Sequence, residues 1–217
     1  MQEINVYCVN VGDKYKPDYV YKLKSAVERH LSYKHNFYCI TDKPELYSFA
    51  IKSDEGLDGW WNKISIFKNT GKSLYFDLDV IIHNNLNNFV SDNFKMIKPV
   101  WKNPHKAKYV TDRPDMGTSF TNSSVMAWSN ETKIYDKFMA DPEFYMFKYD
   151  GDDRFLYHET SHETFDIGSI YSYRDGAHWQ YDNEKFKYRK EFSVALFHQE
   201  PDIQDCLEHD IVKENWL

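Results

Sequence analysis

The sequence predicts an α/β fold with a central, mostly parallel sheet flanked by helices. The first observation is a strand–helix–strand order at the start of the chain, which is the arrangement of a parallel βαβ unit. Ile4–Val11 and Phe37–Ile40 are nearly continuous apolar runs, typical of strands buried on both faces. Between them, apolar residues recur at helical spacing: Val20, Leu23, Val27 and Leu31. The second observation is that strand-like and helix-like segments keep alternating along the rest of the chain.

The later segments each have a local pattern that predicts their type. In chain order we expect a helix with Trp60, Ile64 and Phe67 on one face, a strand at Ser73–Ile82, a strand at Ser124–Trp128, a helix capped by Ser129-Asn130 that ends before Pro142, a short helix after Asp150–Asp153 and a last strand at Val194–Phe197. The order of these segments extends the α/β pattern to the end of the chain.

The stretch from about Lys98 to Thr121 shows little periodicity and includes Pro104, Pro114 and Gly117. We therefore expect a long loop there, and we interpret it as a lid that closes over a bound ligand. No repeat or composition shift divides the sequence, so a single domain is expected over residues 1–217.

Composition and charge exclude several classes of partner. The formal net charge is −7, which argues against a nucleic-acid or anionic-membrane surface, because both need concentrated Lys and Arg. No run approaches the roughly 20 apolar residues that a transmembrane helix needs. The first residues lack a signal-peptide pattern, and Cys8, Cys39 and Cys206 are predicted to be reduced and mostly buried. A cytoplasmic location is expected.

Two aspartates stand inside the most apolar strand-like run of the chain, SLYFDLDVII. Because side chains alternate along a strand, Asp77 and Asp79 are predicted to point to the same face. Burying two carboxylates is costly unless a cation or hydrogen bonds compensate, and such oxygen ligands suit Mg²⁺ or Mn²⁺. The same spacing recurs in the polar turn Asp150-Gly151-Asp152, so the apolar context, rather than the spacing alone, favours a metal site at Asp77 and Asp79.

Several short segments, in order, resemble the retaining GT-A glycosyltransferases of the glycogenin and bacterial galactosyltransferase group (family 8). These segments are a helix with Lys63 followed by the aromatic-Asp-x-Asp strand, Asn122-Ser123-Ser124, Gly151-Asp152-Asp153-x-x-Leu156, and Phe197-His198. The resemblance covers almost the whole chain, and the ordered conjunction of motifs carries it. It implies a GT-A fold and transfer of a sugar from a nucleotide sugar, a UDP-sugar, to an acceptor whose class (glycan, lipid or protein) stays open.

The sequence departs from that family at three of these places. Ser124 stands where the family has Gly, and Asp153 stands where it has Gln. The family's His is followed by Gly and a Lys-Pro-Trp stretch, whereas Gln199-Glu200-Pro201-Asp202 follows His198 here. The cation that would bind a diphosphate is therefore missing at that point, and Lys63, then Arg113, are the expected replacements.

The resemblance implies a role for each matched residue. Asp77, Asp79 and a neutral His198 would hold Mn²⁺ or Mg²⁺, which neutralises charge on the leaving nucleotide. The nucleotide would lie against Val9, Asn10, Tyr15, Thr41, Asp42 and Leu78. Asn122, Asp152 and Asp153 would face the sugar, and the Asp153 carboxylate makes a nucleophile or an ion-pair partner available.

Alternative readings remain open from the sequence. For Lys63 the alternative is a solvated helix face, for His198 a core histidine, and for Tyr15 core packing rather than base stacking. His158-Glu159-Thr160-Ser161-His162 matches the zinc-protease pattern H-E-x-x-H, although Thr and Ser are indifferent helix formers. A nucleotidyltransferase is disfavoured because Gly12 stands alone where such enzymes have a Gly-rich loop. A sugar-binding protein of this fold without catalysis is the remaining alternative.

Overall fold

The structure, a computed structural model, describes residues 3–102, 121–180 and 185–217. The strands are β1 Ile4–Asn10, β2 His35–Thr41, β3 Ala50–Lys52, β4 Lys72–Phe76, β5 Val80–Ile82, β6 Lys95–Ile97, β7 Asn122–Ser129, β8 Glu163–Thr164, β9 Ile170–Ser172 and β10 Val194–Leu196. The α-helices are α1 Pro17–His30, α2 Thr132–Met139, α3 Pro142–Lys148, α4 Asp152–Glu159 and α5 Asp210–Asn215. Short 3₁₀ segments cover Pro44–Leu46, Gly59–Lys68, Asn87–Phe89 and Gln204–Cys206.

Among these residues the strands form a seven-stranded sheet and a three-stranded sheet. The larger sheet has the order β3-β2-β1-β4-β7-β6-β8, and within it only β7 runs antiparallel to its neighbours. The smaller sheet has the order β5-β10-β9. The predicted α/β fold with a mostly parallel central sheet is thus confirmed.

The central strands are buried on both faces because their residues alternate between two hydrophobic clusters. In β1, Val6 and Cys8 pack into one cluster with α1, whereas Tyr7 packs into the other with Trp128. In β4, Leu74 and Tyr75 divide in the same way. This alternation explains why these strands appear in the sequence as continuous apolar runs.

The predicted single strand Ser73–Ile82 is wrong, because the chain changes sheets within it. The Asp77 N–H donates to the Ser124 carbonyl oxygen at 2.8 Å, continuing the ladder between β4 and β7. Two residues later the Asp79 carbonyl accepts from the Phe197 N–H at 2.8 Å, which begins the pairing with β10. Asp77-Leu78-Asp79 is therefore a junction between two sheets, at the carboxyl end of β4.

The predicted helix around Trp60 is a 3₁₀ segment, Gly59–Lys68, rather than an α-helix. Gly59 has a φ of 51°, and the buried Asn62 side chain donates to the Leu57 and Gly59 carbonyls at 2.9 and 3.0 Å. These bonds hold the tight first turn, and the residues from Trp61 to Phe67 are all buried rather than amphipathic.

The remaining expectations have mixed outcomes. The helix after Ser124–Trp128, the short helix after Asp150–Asp153 and the last strand are all present. The predicted Ser129-Asn130 cap is wrong, because α2 begins at Thr132 with Glu131 at the N-cap position. All three cysteines are buried and unpaired, as predicted. Residues 103–120, which make up most of the predicted lid, lie outside the described residues. Among the described residues, no helix is long and apolar enough to cross a membrane.

Candidate active site

A cleft of about 580 Å³ opens where the carboxyl ends of β1 and β4 meet the start of β7 and the start of α4. Ligands of open α/β sheets collect at this edge. The cleft is lined by Val9, Val11, Lys14, Tyr15, Gly59, Trp60, Lys63, Tyr75, Asp77, Leu78, Asp79, Asn122, Ser123, Ser124, Asp150, Gly151, Asp152 and Asp153. Residues that lie far apart in the sequence thus share one cavity.

The Lys63 ammonium is the central contact of the cleft. It lies 3.0 Å from Oδ1 of Asp77 and 3.4 Å from Oδ2 of Asp152, and it donates a hydrogen bond to Ser123 Oγ at 3.1 Å. Lys63 is 8% exposed, so the alternative of a solvated helix face is wrong. Burial lowers the pKa of the ammonium, but the carboxylates of Asp152 and Asp77 outweigh this and hold the pKa above its usual value.

Asp77 is held by two further groups besides Lys63. The Tyr75 hydroxyl donates to Asp77 Oδ1 at 2.5 Å, and the backbone N–H of Asp77 is bonded to Ser124. Tyr75 and Asp77 are two residues apart, so the extended chain places both on the same side. Burial and the Asp77 charge raise the pKa of Tyr75 well above its usual value, which keeps its hydroxyl a donor.

Asp152 and Asp153 occupy the first turn of α4, where the helix dipole favours negative charge. Ser123 Oγ donates to Asp152 Oδ2 at 2.6 Å. Burial raises the pKa of Asp152 to about 6 even though the Lys63 ammonium opposes the shift, and burial likewise raises the pKa of Asp153. A side chain at Gly151 would place its Cβ 2.9 Å from Asp153 Oδ1. Any residue other than glycine would therefore force the Asp153 carboxylate to move.

Asp79 lies at the other end of the junction and accepts a hydrogen bond from the Tyr15 hydroxyl at 3.1 Å. Burial and the neighbouring Asp77 charge raise the pKa of Asp79 to about 6. Tyr15 also packs against Tyr19, with ring centroids 5.1 Å apart. Tyr15 therefore lines the cleft and also packs against the core.

His198 is not among the residues that line the cleft. Its backbone follows Phe197, which pairs with Asp79, but its ring packs at 6.1 Å from the Trp101 ring and its Nε2 lies 3.8 Å from Asp175 Oδ2. Nε2 is buried and has no hydrogen-bond partner among the described residues. Within residues 3–102, 121–180 and 185–217, no three His, Cys, Asp or Glu side chains converge as a metal site.

The residues predicted to contact the nucleotide are divided between the cleft and its surroundings. Val9, Tyr15 and Leu78 line the cleft. The Asn10 amide instead donates to the Tyr47 hydroxyl at 2.8 Å, and Thr41 Oγ1 accepts from the Lys43 N–H at 3.1 Å. Asp42 accepts from the Gly12 N–H at 3.2 Å, where Gly12 has a φ of 77°, so it shapes the loop after β1. Arg113 lies outside the described residues.

The sequence interpretation missed Tyr75, Ser123 and Trp60 as members of the site. Tyr75 had a usable signal, because its spacing of two from Asp77 on an extended chain places both on one face. Ser123 lies beside Asn122 but was indistinguishable from Ser124 by type. Trp60 appeared only as a core residue of a helix, whereas its side chain is 56% exposed and lines the cleft.

The H-E-x-x-H segment does not form a zinc-protease site. Helix α4 ends at Glu159 and Thr160 is extended, so His158 and His162 do not lie one helical turn apart. The Glu159 carboxylate accepts from Lys148 at 2.8 Å and from the Tyr149 hydroxyl, and it pairs with Lys137 at 2.7 Å. His158 stacks on the Tyr149 ring. These contacts explain the segment as a structural helix end.

Comparison with solved structures identifies the fold. The galactosyltransferase LgtC in complex with donor and acceptor sugar analogues matches with a TM-score of 0.61 and 12% identity, over 96% of this chain and 93% of that chain. An active-site mutant of LgtC matches with a TM-score of 0.62, also at 12% identity over 96% and 93% of the two chains. No protein-family model and no curated protein matches the sequence. The chain therefore has the GT-A fold of these galactosyltransferase structures.

Proposed function

We propose that this chain is a metal-dependent glycosyltransferase that moves a sugar from a nucleotide-sugar donor, a UDP-sugar, to an acceptor. One observation carries the proposal: Lys63 joins Asp77 of the sheet junction to Asp152 of α4 inside the cleft at the carboxyl edge of the sheet. The contact unites the motif interpreted as metal-binding with the motif interpreted as sugar-binding. The GT-A fold shared with a galactosyltransferase supports the same reaction class.

Asp77 and Asp79 are the residues proposed to hold Mn²⁺ or Mg²⁺. Their carboxylate oxygens suit these hard cations, and both carboxylates line the cleft. His198 is the proposed third ligand, and its buried Nε2, without a hydrogen-bond partner, is consistent with a ligand atom that needs a cation. When bound, the divalent cation supplies Lewis-acid stabilisation of the negative charge on the leaving nucleotide.

The residues at the β1 end of the cleft are proposed to bind the nucleotide. Val9, Leu78 and the ring of Tyr15 supply apolar surface, and the Lys14 ammonium lies 4.6 Å from the Tyr15 ring centroid. Asn10, Thr41 and Asp42 support this end through the hydrogen bonds described above. Lys63 and Arg113 are the proposed diphosphate cations, and Lys63 would have to exchange part of its contact with Asp77 for the phosphate.

Asn122, Asp152 and Asp153 are proposed to bind and orient the transferred sugar. The Asn122 amide oxygen accepts from the Ser124 N–H at 3.0 Å. Its NH₂ group has no hydrogen-bond partner among the described residues and could donate to a sugar hydroxyl. Ser123 and Lys63 fix Asp152 from one side. The neighbouring Asp153 carboxylate then provides negative charge near an oxocarbenium-like centre, the charge that such transition states need.

Calorimetry tests the proposal directly. UDP and UDP-sugars are expected to bind in the presence of Mn²⁺ or Mg²⁺ and to lose binding in excess chelator. A thermal-shift screen of nucleotide sugars would then identify the donor, because a ligand that binds the folded state raises the unfolding temperature. Tight UDP binding in chelator contradicts the metal dependence, and no response to any nucleotide sugar contradicts the function.

A further inference from the structure

The Trp60 side chain is an exposed aromatic surface inside the cleft. It is 56% exposed, whereas the adjacent Trp61 is 6% exposed and stacks on Phe138. No aromatic ring or ammonium group among the described residues is found against the Trp60 indole. A tryptophan gains about as much from burial as any side chain, so its open face at the rim of a cavity favours a contact with a ligand.

The 3₁₀ geometry fixes where this indole lies relative to the ion pairs. Side chains at i and i+3 of a 3₁₀ helix are eclipsed, so Trp60 and Lys63 lie on the same face of Gly59–Lys68. Three residues of 3₁₀ helix advance by roughly 6 Å along the axis. Trp60 therefore lies one turn before Lys63, whose ammonium contacts Asp77 and Asp152.

Trp60 shares its helical face with Lys63, the residue that contacts the proposed sugar-binding motif. Tyr15 contacts Asp79 at the β1 end, whereas Lys63, the neighbour of Trp60 on its helical face, contacts Asp152 of α4. A donor whose nucleotide lies along β1 would thus bring its sugar toward Asp152 and leave the indole to a second molecule.

The charge of the cleft limits what that second molecule is. Among the described lining residues there are five carboxylates, Asp77, Asp79, Asp150, Asp152 and Asp153, and two ammonium groups, Lys14 and Lys63. A divalent cation and a diphosphate add opposite charges of equal size, so these described lining residues keep an excess of negative charge with the donor bound, even when the single positive charge proposed for Arg113 is added. An anionic acceptor would be repelled, whereas a neutral or cationic one would not.

We propose that Trp60 is the acceptor platform of this enzyme and that the acceptor is a neutral or amino-bearing sugar, which stacks its C–H face on the indole. The inference rests on the proposed function. The indole face carries the negative side of its π quadrupole, and the C–H face of a pyranose is apolar and weakly positive. The acidic cleft adds selection against sugars that carry a carboxylate or phosphate.

The experiment compares three methyl glycosides of equal size, those of glucose, glucosamine and glucuronic acid. Their binding to the protein with UDP and Mn²⁺ is measured by saturation-transfer NMR, and their use as acceptors is measured with the donor found in the screen. Trp60→Ala removes the ring, and Trp60→Phe keeps an aromatic face. Tyr33→Ala removes another exposed aromatic ring, which lies outside the cleft.

We expect the glucoside and the glucosaminide to bind and the glucuronide not to bind. Trp60→Ala should raise the KM of the acceptor about tenfold or more, with a smaller change in the KM of the donor, and Trp60→Phe should restore most of the affinity. Tyr33→Ala should match the wild type. Equal glycoside binding by the wild type and Trp60→Ala, no glycoside binding at all, or preference for the glucuronide overturns the inference.

These outcomes separate the inference from the proposed function. Glycoside binding that depends on Trp60, without turnover of any nucleotide sugar, would reject the transferase function while keeping the sugar platform. If the enzyme turns over a donor but Trp60→Ala leaves glycoside binding unchanged, the acceptor role of Trp60 is rejected and the transferase function is kept.

Discussion

The Lys63 ammonium lies 3.0 Å from Oδ1 of Asp77, and both groups are largely buried. Asp77 belongs to the junction where the chain passes from the large sheet to the small one, and Lys63 belongs to the 3₁₀ segment that precedes β4. This ammonium supplies positive charge to the Asp77 and Asp152 carboxylates, which burial would otherwise destabilise. The ion pair therefore offsets part of the cost of burying these carboxylates.

Replacing Lys63 by methionine is expected to destabilise the fold by about 3 kcal/mol, because Asp77 and Asp152 lose their shared buried partner. Urea unfolding measures the change. Lys34→Met, which removes a surface pair with Glu3, is the control and should cost less than about 1 kcal/mol. A loss in Lys63→Met no larger than in the control would show that the carboxylates do not depend on the ammonium.

Asp77→Asn and Asp79→Asn are each expected to abolish metal-dependent hydrolysis of the donor, because an amide is a poor ligand for a hard cation. Circular dichroism should show an intact fold. Asp92→Asn, which removes an exposed carboxylate paired with Lys72 outside the cleft, should retain activity. Undiminished hydrolysis in either cleft variant would contradict the proposed metal site.

The buried His83 is expected to make the stability of the fold fall at acid pH. Both ring nitrogens are buried without a hydrogen-bond partner among the described residues, and burial lowers the pKa of the ring to about 4. The unfolded chain, with a pKa near 6.5, binds a proton before the folded protein does. This contribution is therefore complete above pH 6.5 and is lost as the pH falls toward 4, by up to about 3 kcal/mol.

Urea unfolding of the wild type and of His83→Leu at several pH values between 7 and 4 measures this effect. The difference in unfolding free energy between the two proteins should shift in favour of the variant as the pH falls. A difference that stays constant across this range would show that His83 does not titrate in folding.

The purified protein is expected to contain no stoichiometric zinc at His158 and His162, because the helix ends between them and Glu159 is engaged by Lys137 and Lys148. Elemental analysis measures the metal content. His158→Ala and His162→Ala should leave donor hydrolysis at the wild-type level. If the protein contained one zinc per chain and either substitution removed it, the result would support the zinc-protease alternative.

The sequence by itself determined those strands and helices that depend on the pattern of neighbouring residues. The continuous apolar runs of β1 and β2 are typical of strands that are buried on both faces. The spacing of Val20, Leu23 and Val27 is that of an amphipathic helix, which is α1. The two aspartates in an apolar run also signalled a site, since buried carboxylates need compensation.

Tertiary structure decided how those elements meet. The break between β4 and β5 arises because Asp77 pairs toward β7 and Asp79 pairs toward β10, and neither partner is near in sequence. The burial of Lys63 depends on Asp152, which lies 89 positions later in the chain. Hydrogen-bond partners and charge compensation come from distant segments, so spacing within one segment predicts which residues carry chemistry but not which of them touch.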